Sequence, residues 1–238
     1  MKKSILLAIA AVLFSSHALA LGDQYSYYGV TLNYAYSQQK ALVTNPETGI
    51  YDMLNGFNGG FMFQQQLYKG LVLVSGLQYQ FTMNKTEDDD ADTYLMSHNL
   101  RVPVKFGFTT PFAGNWSFTV FGGPSLDFNV AMIGKTKYDN GDYDQYDYVN
   151  GVHKFDKEGY SDSESDDDYK QFKCFDIPLG IGAIVKYKNF GMKFEYEWGM
   201  INRLKGDGTD IIDIPAPKLL EDLEFKTDQF SIGFFYTF

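Results

Sequence analysis

Apolar residues fall on every second position in one segment of the chain after another. In "FGMKFEYEWGM", residues 190–200, Met192, Phe194, Tyr196 and Trp198 alternate with Lys193, Glu195 and Glu197. A helix, with its 3.6-residue repeat, would scatter those charges around its circumference. A strand sends alternate side chains to opposite faces, so a period of two sorts them. Eight segments carry this pattern: 27–37, 57–68, 71–84, 94–108, 116–130, 175–187, 190–200 and 228–238. The apolar set is Tyr28, Val30, Leu32, Tyr34 and Tyr36 in the first, and Phe230, Ile232, Phe234, Tyr236 and Phe238 in the last. The opposite positions are small or polar, among them Asn33, Gln64, Gln78, Gln80, Asn99, Ser125, Asn129 and Ser231.

Each segment runs to roughly 10–14 residues, against about 5–6 for a usual soluble strand. A tilted strand needs about 9–11 residues to cross a bilayer. Connections strictly alternate: tight at Lys69-Gly70, 109–115 and Lys188-Asn189, long at 38–56, 85–93, 131–174 and 205–227. An up-and-down meander with an even strand count places all short turns at one end and all long loops at the other. The expected fold is therefore all-β, an eight-stranded antiparallel up-and-down transmembrane β-barrel over 21–238, with short periplasmic turns and long external loops.

Charge placement agrees. None of the apolar sets contains Asp, Glu, Lys or Arg, and a mid-membrane Lys or Arg facing lipid would cost about 2–4 kcal/mol. Of 30 acidic residues, 24 lie in the four long connections, 2, 5, 11 and 6 in chain order. Aromatics make up 17% of the chain, yet its mean hydropathy is −0.26. Tyr28, Trp116, Tyr187, Phe190 and Phe238 fall at the turn ends of strands, and Tyr36, Phe57, Phe81, Tyr94, Phe128 and Phe175 at the loop ends, as two aromatic girdles do. A soluble lipocalin-type barrel would reverse the two faces, with a greasy interior that could not hold so many charges. Net charge is −10, which argues against nucleic acid as a partner. Cys174 stands alone, so no internal disulfide forms. Met1-Lys2-Lys3, the apolar run from Ile5 to Phe14 and the small-x-small Ala18-Leu19-Ala20 read as a cleavable signal peptide over 1–20. These features point to export to the bacterial outer membrane, with its lipid as the surrounding partner.

The stretches "LRVPVKFGF" (100–108), "FGGPSLDF" (121–128), "DIPLGIGAIVKY" (176–187), "GMKFEYEWGM" (191–200) and the terminal "QFSIGFFYTF" (229–238) carry a family resemblance. The chain resembles small outer-membrane β-barrels of the PorT-like type, related in architecture to OmpX and the OmpA barrel. The resemblance implies the barrel rather than a biochemical activity. It also implies that the last strand, with Phe230, Ile232, Phe234, Tyr236 and Phe238, is the signal read by the barrel assembly machinery.

Candidate chemistry lies first in the lumen. Inward positions carry Arg101, Lys105, Lys186 and Lys193 against Asp127, Asp176, Glu195 and Glu197. Eight strands enclose a space just wide enough for side chains to fill. Arg101 and Lys105 are expected to pair with Glu195 and Glu197 and plug the barrel; the alternative is a narrow pore lined by the same charges. Outside, "EDDDAD" (87–92), "DNGDYD" (139–144) and "SDSESDDDY" (161–169) offer carboxylates for a divalent cation without EF-hand spacing. The tyrosines of "YDNGDYDQYDY" (138–148) suit an extracellular protein contact. For catalysis there is little. Ser97 and His98 are adjacent strand residues on opposite faces and cannot act as nucleophile and base. No nucleophile-elbow, zinc-protease or phosphate-loop motif is present, and no cofactor is expected. The expected function is a non-enzymatic barrel with a structural or surface-interaction role. The alternative is a narrow channel, or a component of an outer-membrane transport or secretion assembly.

Overall fold

A computed structural model describes residues 25–42, 51–88, 91–157, 160–165, 172–203 and 224–238. The expected signal peptide, 1–20, lies outside the described residues. The strands are β1 (Tyr27–Leu42), β2 (Tyr51–Tyr68), β3 (Leu71–Asp88), β4 (Ala91–Ala113), β5 (Trp116–Tyr138), β6 (Tyr143–Asp147), β7 (Val152–Lys157), β8 (Tyr160–Ser165), β9 (Phe175–Asp176), β10 (Leu179–Tyr187), β11 (Phe190–Trp198) and β12 (Glu224–Thr237). Eight of them, β1 to β5 and β10 to β12, pair antiparallel with their neighbours in chain order. The ring closes where β12 pairs with β1. β9 is the first piece of the sixth ring strand, held to β5 through Asp127↔Asp176 and Phe128↔Phe175. Pro178, which has no N–H to give to the ladder, separates β9 from β10, while its carbonyl still accepts from the Ser125 N–H at 2.8 Å.

The two faces separate as the alternation requires. Leu32, Phe61, Phe190 and Phe234 are 63–67% exposed, pointing outward where lipid covers them. Asn33, Asn58, Gln64, Gln78 and Gln80 point inward and are buried. This is an eight-stranded transmembrane barrel. Its turn-end girdle is a run of ring contacts, Phe112–Trp116, Trp116–Tyr187, Phe190–Tyr236 and Tyr28–Phe238, with centroids 4.8–6.0 Å apart. At the loop end Phe57–Phe81, Phe81–His98 and Phe128–Phe175 play the same part. Lys69 (φ 35°) and Gly70 (φ 91°) make the β2–β3 turn. Two consecutive positive φ values match the right-handed twist of the flanking strands. A Cβ on Gly70 would also lie 2.8 Å from the Thr109 carbonyl oxygen.

The strand limits differ from the expectation. The loop expected at 38–56 is shortened from both ends, by β1 to Leu42 and by β2 from Tyr51. The connection at 85–93 is a continuation of β3 and β4, with a tip at 89–90 outside the described residues. The 109–115 turn shrinks to Gly114-Asn115. Within 131–174, β5 runs on to Tyr138 and β6, β7 and β8 add three antiparallel strands to its edge. Of 205–227, residues 224–227 belong to β12 and the remainder lies outside the described residues. The physical reason is common to all of these. Apolar alternation reports where the lipid ends, whereas backbone pairing continues into water with polar side chains on both faces.

The interior is layered. Toward the turn end Met62, Val72, Val74, Phe121, Ile184 and Phe235 point inward and form an apolar plug, backed by Tyr25 and Tyr27. Glycines on facing strands leave room for its rings. A Cβ on Gly191 would meet the Phe235 ring at 2.1 Å, and one on Gly182 the Phe121 ring at 2.4 Å. Above the plug lie the charges.

Candidate functional site: a lumenal charge belt and the sheet above it

β4 brings Arg101 and Lys105 inward four residues apart, and β11 brings Lys193, Glu195 and Glu197 inward at alternate positions. The two strands are three places apart around the ring, so long side chains from each meet inside. Arg101 grips Asp127, its partner in the β4–β5 register, with Nε donating to Oδ1 at 2.9 Å and Nη2 to Oδ2 at 2.5 Å. Its Nη1 donates to Glu197 Oε2 at 2.5 Å. Glu197 Oε1 accepts from Lys105 Nζ at 2.7 Å and from Ser125 Oγ at 2.6 Å. Lys105 also donates to the Gly123 carbonyl at 2.9 Å and lies 3.2 Å from Glu195 Oε1. Lys193 closes the belt on Glu195 Oε2 at 2.7 Å. All six charged residues are buried. Gly180 faces Glu197 across the β10–β11 ladder, and a Cβ there would stand 2.4 Å from Glu197 Cγ, so the absence of a side chain makes room for the carboxylate.

Two of the eight expected lumen charges point inward but stand beside the belt rather than in it. Lys186 is half-buried near the turn end with its ammonium 4.9 Å from the Tyr27 ring centroid, away from the belt. It shares the inward parity of Ile184 on β10 but lies too near the turn to reach a carboxylate of the belt. Asp176 is buried, with Oδ1 accepting from the Ile177 N–H at 2.7 Å, and it borders a cavity of about 20 Å³ together with Arg101, Asp127 and Arg203. Arg203 was not foreseen. It follows β11, is buried, and donates from Nη2 to Asn129 Oδ1 at 2.5 Å and from Nη1 to Thr227 Oγ1 at 2.9 Å. Gln80 Oε1, Asn99 Oδ1, Arg203 Nε and Gln229 Nε2 remain unpartnered around that cavity. Its volume and its donor–acceptor mix suit one bridging water. A lone Arg in "INRL" gave no periodic signal by which the sequence could have placed it inside.

Over the belt sits an apolar cap that also escaped the sequence. A bulge at Val130, between the pairs His98↔Ala131 and Asn99↔Asn129, switches the inward face of β5 from odd to even positions and turns Met132 in. Met132, Val149 and Phe172 bury together, with Leu95 and Tyr148 against them. Tyr148 N donates to the Met132 carbonyl at 2.9 Å and Phe172 N to the Tyr148 carbonyl at 3.1 Å, so two stretches from beyond the membrane fold back over the lumen. Burial pushes the Tyr148 phenol above its ordinary range. Asn150 Nδ2 donates to the Val130 carbonyl at 2.9 Å and so satisfies the bulge.

Outside, β5 exchanges its partner. Residues 116–124 pair with β10, and residues 133–137 pair with β6. β6, β7 and β8 thus extend a sheet above the barrel. Tyr146 stacks on its cross-strand partner His153 at 4.1 Å, and His153 Nε2 lies 3.3 Å from Asp144 Oδ1. "DNGDYD" forms the β5–β6 turn: Asn140 Oδ1 accepts from the Asp142 N–H at 3.0 Å, and Asn140 Nδ2 donates to Asp142 Oδ2 at 2.8 Å. Among the described residues no group of His, Cys, Asp and Glu is arranged to hold a metal ion. Parts of the other two acidic stretches, 89–90 and 166–169, lie outside the described residues. Ser97 is buried and accepts from Asn99 Nδ2 at 3.1 Å, whereas His98 contacts the Tyr79 hydroxyl on the lipid side.

No curated protein matches the chain. Among solved structures it is similar to Ail, the attachment invasion locus protein of Yersinia pestis, at 13% identity, covering 90% of this chain and 100% of that chain with a TM-score of 0.41. It is similar also to Neisserial surface protein A, at 12% identity, 89% and 97% coverage and a TM-score of 0.33. The translocator domain of the autotransporter NalP from Neisseria meningitidis follows at 10% identity, 99% and 96% coverage and a TM-score of 0.27. A family model described as an outer membrane protein beta-barrel domain matches residues 15–205. With its ring of strands, lipid-facing aromatics and buried polar lumen, the chain belongs to the outer-membrane protein β-barrel domain family and is a protein of the bacterial outer membrane.

Proposed function

We propose that the protein is a non-enzymatic, closed barrel that serves as a rigid membrane base for an extracellular β-sheet with a surface-interaction role. The observation that carries this is the partner exchange of β5, which turns one 23-residue strand into both barrel wall and external sheet. The belt of Arg101, Lys105, Asp127, Lys193, Glu195 and Glu197 fills the lumen as a plug, with apolar layers on either side. Residues 1–20 direct export, and the terminal strand with Phe230, Ile232, Phe234, Tyr236 and Phe238 serves as the signal for the assembly machinery. The quoted motifs favour a PorT-like member of the family. The partner is an extracellular protein with a cationic face, met by the acidic, tyrosine-bearing strands β6 to β8.

Two measurements on the protein refolded in liposomes test this. Planar-bilayer recordings should show no conductance for the wild type; steady ion-selective steps that change in Glu195→Ala/Glu197→Ala would replace the plug with a channel. Binding of a cationic probe protein, cytochrome c, should fall at least tenfold when 139–171 are replaced by a short Gly-Ser turn, while gel mobility still reports a folded barrel. Equal binding without that segment would remove the surface role.

A further inference from the structure

Three prolines interrupt the barrel wall on neighbouring strands. Pro103 on β4, Pro124 on β5 and Pro178 just before β10 have no N–H to give to a ladder. Pairing between β3 and β4 lapses at 76–77 against 102–103, and between β4 and β5 at 104–105 against 123–124. Between β5 and the sixth ring strand it lapses at 125–126 against 177–178, where the Ser125 N–H bond to the Pro178 carbonyl remains. On the inner side Lys105 and Ser125 both donate to Glu197 and so brace this part of the wall. The lapse crosses three consecutive ladders within the lipid-facing band, where a backbone short of hydrogen bonds finds no water to replace them.

The outer surface of the same patch is recessed. Its outward residues are Ser75, Val102, Val104, Gly122 and Pro124. Ser75 and Val102 are 5% and 7% exposed, whereas Phe106 and Ile181 on the rim are 54% and 58% exposed. The wall itself does not require the small size of Gly122. A Cβ there would meet only the Gly180 carbonyl oxygen and Ile181 Cγ2, both at 3.4 Å, an ordinary contact. Ser75 adds an independent feature. Leu73 and Leu77 flank it on the outward face of β3, and no hydrogen bond reaches its hydroxyl among the described residues. A buried hydroxyl aimed at hydrocarbon without a partner is costly.

We propose that this recess is the contact between two copies of the chain, packed about a two-fold axis that passes beside Ser75. A hydroxyl both donates and accepts, so two Ser75 hydroxyls related by the axis satisfy each other. An acyl chain fills the recess but offers neither a donor nor an acceptor. Small residues at a membrane interface let two backbones approach closely, as they do between membrane helices. The rim residues Phe106 and Ile181 then interlock with the facing copy, and the contact shields the lapsed ladders from lipid. The inference is independent of whether the external sheet has a protein partner.

The test uses the full chain refolded in phosphatidylcholine liposomes and dye-labelled at the exposed Cys174. Single wild-type particles should bleach in two steps, and energy transfer between donor- and acceptor-labelled chains should fall on dilution with unlabelled chain. Gly122→Leu, which fills the recess, should abolish the transfer. Ser75→Ala should weaken pairing by about tenfold, with unchanged gel mobility for the folded barrel in both variants. In a Cys174→Ser background, Ser75→Cys should cross-link two chains on oxidation, whereas Leu32→Cys on β1 should not. Single-step bleaching of the wild type would leave the recess to lipid chains and overturn the inference. Pairing that survives both Gly122→Leu and Ser75→Ala, or cross-linking through Leu32→Cys but not through Ser75→Cys, would put the contact on another wall and overturn it equally. Neither result bears on the surface role, which cytochrome c binding reads separately.

Discussion

β4 carries one member of an ion pair in each of two regions. Inside the barrel, Arg101 on β4 lies opposite Asp127 on β5, with side chains 5% and 10% exposed. Above the membrane, Lys85 meets Asp92 with both side chains 35% exposed. The first pair belongs to a dry network in which Glu197 accepts from three donors at once. The second sits in water, where either charge can be solvated. Solvent, not pairing geometry, decides what each contact does. A buried charge that loses its partner is destabilising by about 3–5 kcal/mol, whereas an exposed pair contributes about 0–1 kcal/mol.

The difference between the two regions is largest at Glu197. Glu197→Ala leaves Arg101 and Lys105 facing each other without the carboxylate that both engage, and should lower unfolding stability by about 3–5 kcal/mol in a urea titration followed by tryptophan fluorescence. Asp156→Ala on the external sheet should change stability by less than about 0.5 kcal/mol under the same conditions. Glu197→Gln combined with Arg101→Met, Asp127→Asn and Lys105→Met, which leaves Lys193 and Glu195 to each other, should recover part of the loss, since the cost lies in unpaired charge. A Glu197→Ala variant as stable as the wild type would show that water reaches the belt.

How much of this was legible beforehand follows from where water begins. The ring strands were readable because lipid demands apolar residues on one face only, and the sets ending on Phe238 and Trp198 obey it. The belt was readable in outline because Lys193, Glu195 and Glu197 keep the period of two. Beyond the membrane both faces are polar. "YDQYD" of β6 therefore carries no alternation, and the extension of β3 to β5 was hidden by the same loss of contrast. The apolar plug was hidden for the opposite reason. In "LVLV" (71–74) and "GFFY" (233–236) both faces are apolar, so Val72, Val74 and Phe235 read as part of a continuous run. The Val130 bulge reverses parity by inserting one residue, which no periodic reading anticipates, and with it went Met132 and the cap.

That cap stands between the two regions and should behave as an intermediate case. Met132 is 2% exposed and packs on Val149 and Phe172, yet its partners come from segments outside the membrane. Met132→Ala should cost about 2 kcal/mol, at the low end for a buried methionine because part of the site can close up. Hydrogen exchange should show faster opening of the Tyr148 and Phe172 amides with the belt unaffected. If the β11 amides opened equally, cap and belt would be one cooperative unit.

The smallest effect lies at the exposed pair. The hydrogen bond from Lys85 is the largest influence on Asp92 and, with a further bond from Tyr94 and the charges of Lys85 and Lys137, holds its carboxyl below the usual aspartate value. A carboxyl whose folded value is depressed stabilises the native state above its unfolded value of about 3.9, and that contribution fades as pH falls through the folded value. Carbon-13 titration of Asp92 should therefore show a midpoint below the aspartate norm that rises in Lys85→Gln, with Tyr94→Phe giving a smaller rise. Because the group is in water, unfolding stability at neutral pH should barely move. A carboxyl can thus be clearly shifted and still matter little to folding, which is the sense in which the sheet above the membrane differs from the belt within it. An unshifted Asp92, or one indifferent to Lys85→Gln, would mean that the ion pair is absent in solution.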